Sequence, residues 1–64
     1  MMDYNGLHET WAAADRLYDE GRYYLAKSMF EECLNLTNDP SQRSRIRQMM
    51  DMCDSAAEFK RRNG

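Results

Sequence analysis

The chain has 64 residues, 42% of them hydrophobic and 31% charged, with three glycines, one proline and a formal net charge of −2. It is too apolar for a disordered tail and too poor in Gly and Pro for a fibrous repeat. It is also too short to hold a substrate cavity of several hundred cubic ångströms beside a core. One small domain is expected, with no catalytic residues and no cofactor.

Val is absent, Ile occurs once (Ile46) and Thr twice (Thr10 and Thr37), while Ala, Leu, Met, Glu and Arg supply much of the rest. Strands lack their usual material and helices have theirs, so the fold class is all-α. Residues 7 to 20 place Leu7, Thr10, Trp11, Ala13, Ala14, Leu17 and Tyr18 at three- and four-residue steps, a single apolar stripe on a first helix that Asn5 or Gly6 would open. Gly21 closes it, because glycine takes the left-handed conformation of a helix C-terminus without steric cost.

Residues 22 to 37 repeat the period through Ala26, Met29, Phe30, Cys33, Leu34 and Thr37. The connection is short enough that this second helix must run antiparallel to the first. In Asn38-Asp39-Pro40-Ser41-Gln42, Asp39 suits the N-cap, Pro40 the first helical position and Gln42 a reciprocal bond back to the cap. The third helix then carries Ile46, Met49, Met50, Cys53, Ala56 and Ala57 on one stripe, with Met52 and Phe59 on its flank. The expected domain spans residues 4–60, and residues 61–64 form a frayed tail.

No apolar run approaches the roughly 18 residues that span a bilayer, and the first residues carry neither the basic nor the apolar part of a leader, so membrane insertion is not expected and the expected location is cytoplasmic. Cys33 and Cys53 form no CxxC pair and sit inside helical stripes, which reads as two reduced, buried thiols. With His8 they make the one conceivable metal set, but no pair has zinc-ligand spacing and no metal is expected.

The order Ala13, Leu17, Tyr18, Glu20-Gly21-Arg22-Tyr23, Ala26, Phe30, Cys33-Leu34-Asn35-Leu36 and Asp39-Pro40 resembles a tetratricopeptide repeat over roughly residues 7 to 40. That resemblance implies an antiparallel helical hairpin, here a single repeat closed by the third helix into a three-helix bundle. The Gly-x-Tyr-x-x-Ala centre, with Cys53-Asp54-Ser55-Ala56 and Phe59-Lys60, also resembles the three-helix domains of microtubule-interacting and trafficking type. Their second helix is usually longer than residues 22 to 37 allow. Both families bind peptides or proteins, and neither is catalytic.

If the repeat alignment holds, its binding face corresponds to His8, Trp11, Asp15 and Tyr18, with Asp19 beside them. Aromatic anchors mixed with acidic groups suit a basic or amphipathic segment, whether peptide or partner helix. The competing assignment puts Trp11 and Tyr18 in the core, covered by the third helix. Residues 1 to 39 carry eight acidic and three basic side chains and residues 40 to 64 carry six basic and three acidic. An alternative function follows, self-association in which the basic third helix of one copy docks on the acidic hairpin of another. Arg43, Arg47 and Met50 mark a secondary candidate surface. A sequence pI near 5.2 argues against nucleic acid as the partner of those arginines.

Overall fold

The computed structural model describes the backbone of residues 2–63 and the side-chain surroundings of residues 6–63. Three helices follow one another: α1 (Met2–Asp19), α2 (Tyr23–Leu36) and α3 (Pro40–Asn63). No strand occurs among the described residues. The all-α class and both breaks between helices agree with the periodicity.

The first break is made by backbone alone. The Gly21 N–H donates to the Tyr18 carbonyl at 3.0 Å and the Arg22 N–H to the Leu17 carbonyl at 2.9 Å, the paired bonds of a Schellman ending. That geometry puts the residue after the helix in left-handed space, and Gly21 has φ 83°. Tyr23 then turns edge-on to Tyr18, ring centroids 5.2 Å apart, which fixes how α2 leaves the turn.

The second break departs from the expected cap. The Asp39 carbonyl does accept from the Arg43 N–H at 2.9 Å, so Asp39 holds the N-cap position. It is the Thr37 hydroxyl, however, that accepts from the Asp39 N–H at 3.2 Å and donates to Gln42 Oε1 at 2.6 Å. Gln42 therefore reaches back past Asp39 to a hydroxyl two residues earlier. Thr37 is extended, φ −141° and ψ 145°, which aims its side chain across the linker at the start of α3. Arg43 closes the other side: its Nη1 donates to the carbonyls of Leu34 at 2.7 Å and Thr37 at 3.1 Å. The last turn of α2 has no basic residue of its own, so a cation from the next helix satisfies its free carbonyls.

Two helix ends also differ from expectation. α1 begins at Met2, with Asn5 and Gly6 inside it; a Cβ at Gly6 would stand 4.0 Å from Leu36 at the end of α2, and Leu7 is buried. α3 stays helical through Arg61 and Arg62 to Asn63, where fraying is expected from Arg61 on; Asn63 Nδ2 donates to the Phe59 carbonyl at 2.9 Å. Lys60, Arg61 and Arg62 further suit the negative end of the helix dipole. Gly64 lies outside the described residues.

The core is assembled on α2. Ala26, Phe30 and Cys33 are fully buried, Ala14 meets them from α1, and Ile46 and Cys53 meet them from α3. Alanines at positions 14 and 26 let α1 and α2 approach closely, while Phe30 and Ile46 supply bulk worth about 2–3 kcal/mol each on burial. Both outer helices pack on α2 and meet each other only marginally. Three helices in a closed triangle would give two nearly equal widths; the Cα envelope measures 43 × 20 × 12 Å, a wedge with α2 at its apex. The third helix thus closes the hairpin from the α2 side and leaves the facing flanks of α1 and α3 open.

Candidate functional site

The open wedge decides where the strip from the first helix lies. His8, Asp15 and Asp19 are exposed, whereas Trp11 and Tyr18 are half-buried and pack against the core. Trp11 meets Phe30 edge-on, ring centroids 6.4 Å apart at 87°, so its inner edge completes the α1/α2 core. Trp11 is anchored by Phe30 of α2.

Tyr18 has a second neighbourhood. With Gln48, Asp51, Met52, Ser55, Ala56 and Phe59 of α3 it lines a shallow groove between the outer helices. Met52, Ala56 and Phe59 recur at four- and three-residue steps and so share one flank of α3. Met52 is 44% and Phe59 69% exposed, the two large apolar side chains of α3 left open to water. Asp51 lines the groove on the α3 side, and Asp15 and Asp19 are exposed on α1, the helix that carries Tyr18. The groove therefore has an apolar floor, with one carboxylate, Asp51, and no basic residue in its lining.

Met52 and Phe59 are absent from the expected strip. Their spacing puts them on a flank of α3, and it is the slight contact between α1 and α3 that leaves both side chains exposed. Tyr24 and Leu25, 67% and 52% exposed, lie outside both expected surfaces. They line a second, basic-edged hollow at the turn, with Arg22, Ala57 and Arg61.

The secondary surface divides among different tasks. Arg43 is engaged by the end of α2, as described above. It shares a small polar hollow with exposed Arg47, and Arg47 in turn borders a furrow with half-buried Met50, Leu34 and Lys27 and exposed Asp51 and Asp54. Across that furrow Lys27 Nζ donates to both Asp54 oxygens, at 2.9 and 3.0 Å, tying α2 to α3. The bond and charge of Asp54 hold the Lys27 ammonium above its ordinary value.

Both cysteines are free and buried. Burial pushes the Cys33 thiol up to about 11, helped by the negative charges of Asp15 and Glu32. Cys53 is raised for the same first reason, with Asp54 adding to the shift and Lys27 opposing it. A raised pKa suppresses the thiolate that nucleophilic or metal chemistry requires. Among the described residues no three His, Cys, Asp or Glu side chains gather as a metal set would, and no helix is long and apolar enough to cross a membrane.

Set beside known family models, curated proteins and solved structures, the chain matches none of them.

Proposed function

We propose that the protein is a non-catalytic interaction module that seats a basic amphipathic segment, peptide or partner helix, in the groove between α1 and α3. The observation that carries this reading is the pairing of exposed Met52 and Phe59 with Tyr18 in one groove whose single charged lining residue is Asp51. An apolar floor supplies most of the affinity of such a seat, and the negative charge selects the sign of the occupant. A helix laid in the groove would place an aliphatic side chain against Phe59 and Tyr18 and a Lys or Arg beside Asp15 or Asp19. The resemblance to the tetratricopeptide and trafficking-type families supports the same class of function. Of the expected strip, this reading keeps Asp15, Tyr18 and Asp19 at the contact, with His8 on the same exposed flank and Trp11 as their support.

The test uses a labelled synthetic helix of about 18 residues with leucines on one face and lysines on the other, beside its glutamate counterpart. Fluorescence anisotropy should show the lysine peptide binding and the glutamate peptide not. Phe59→Ala and Asp15→Lys should each weaken binding while leaving the melting temperature close to that of the parent. Equal binding of both peptides, or unchanged affinity in both variants, removes this groove as the site.

A further inference from the structure

The four large apolar side chains left exposed among the described residues fall into two patches whose lining charges are opposite. Met52 and Phe59 lie in the groove on the α1 flank of α3, with Asp51 in its lining. Tyr24 and Leu25 lie beside a hollow of about 720 Å³ at the Gly21 turn, bounded on the α3 side by Ala57 and Arg61. No acidic residue lines that hollow, and Arg22 and Arg61 stand exposed at its edge. Arg22 has an exposed partner in Glu20 at 3.5 Å, a contact that water screens. The first turn of α2 adds no negative charge and no side-chain cap.

We propose that the two patches are halves of one contact, so that the hollow of one copy docks on the groove of a second copy. This deepens the preceding reading by naming its basic apolar occupant as the α2 start of another molecule, and for the groove half it rests on that reading. Charge complementarity supports the pairing: Arg22 and Arg61 line the hollow, Asp51 lines the groove, and Asp15 and Asp19 add exposed negative charge on α1. The apolar groups match in kind, with Tyr24 and Leu25 facing Met52 and Phe59. Because the two patches occupy different flanks of α3, docking uses unlike surfaces and leaves one free groove and one free hollow at the ends of every assembly. Such a contact is heterologous and adds further copies rather than closing as a two-fold dimer, unless the rotation happens to close a ring.

Sedimentation velocity on the full chain, from about 10 μM to about 1 mM, reads this directly. The mean mass should rise past that of a dimer with concentration, and the rise should shrink in about 0.5 M salt. Leu25→Ser in the hollow and Phe59→Ser in the groove each remove one half of the contact at an exposed position, so each variant alone should stay monomeric with an unchanged melting temperature. Mixed in equal amounts, they should form a one-to-one pair and stop, since one intact hollow and one intact groove remain.

A parent chain that is monomeric throughout overturns the proposal, as does association that either variant retains or that mixing fails to restore. The lysine peptide separates the two readings. Leu25→Ser should bind it as the parent does, and peptide binding without self-association eliminates the second copy while leaving the groove as a peptide site.

Discussion

Lys60 Nζ donates to the Gly21 carbonyl at 3.2 Å and lies 5.8 Å from the centre of the Tyr23 ring, so the late turns of α3 are latched to the turn joining the first two helices. Residues 39 apart in sequence thus meet where the chain first reverses.

Gly21→Val should destabilise the protein by about 1–2 kcal/mol, because a β-branched residue at φ 83° is strained whatever space surrounds it. Added Cβ would also stand 3.5 Å from Lys60 Nζ, in ordinary contact, so the effect is one of backbone rather than collision. Urea melts of Gly21→Ala and Gly21→Val should show losses of similar size. No loss in either would mean that the turn is not left-handed in solution.

Arg43 should behave as a structural residue. Arg43→Met keeps most of the aliphatic stem but leaves the Leu34 and Thr37 carbonyls without their donor, and about 1 kcal/mol of stability should go with it. Lysine at this position should restore only part of the loss, since one ammonium replaces a planar fork. Arg47→Met, at an exposed position, should leave the melt unchanged. Equal stability of all three variants would return Arg43 to the surface charges.

Stability should fall on the alkaline side, and the sign follows from burial. Cys33 is held at about 11 against an ordinary 9.0, so between those values the unfolded chain loses a proton that the folded chain keeps. The contribution is complete below pH 9 and disappears as pH rises through the folded value. Lys27, raised from 10.5 by Asp54, acts in the same direction from that pH upward. Chemical denaturation at intervals from about pH 8 to pH 11 should show the decline, and Cys33→Ala should flatten its first part. A parent curve as flat as that of Cys33→Ala would contradict the buried thiol.

Trp11 and Asp15 share a flank of α1 and should part company on mutation. Trp11→Ala removes the ring that meets Phe30 and should cost about 2–3 kcal/mol, reduced from a full core truncation because the ring is only half-buried. Asp15→Lys should leave thermal unfolding nearly unchanged. If Trp11→Ala melts like the parent, the ring belongs to the surface.

Three stripes with a glycine and an Asp-Pro between them were enough to place three helices, because each helix buries one face and each break needs a residue with special backbone freedom or constraint. The cap of α3 was less legible: Asp39 and Thr37 both offer an oxygen, and only the extended backbone at Thr37 decides that its hydroxyl takes the Asp39 N–H. The groove was half legible. Tyr18 belonged to the expected strip, but Met52 and Phe59 have the same spacing whether α1 covers them or water does, so their exposure depends on how far α3 leans toward α1. Periodicity within a helix carries no information about that angle.

Placing α2 between two helices that scarcely touch makes it the spine of the molecule, with Ala26, Phe30 and Cys33 common to both leaves. A spine shared in this way couples the leaves without direct contact. When α3 lifts, its own partners Ile46 and Cys53 leave Phe30 and Cys33 with water on one side, and the hold of α2 on α1 weakens with them. Hydrogen exchange should therefore show the amides of α1 and α3 opening together rather than in turn, even though they belong to opposite ends of the chain.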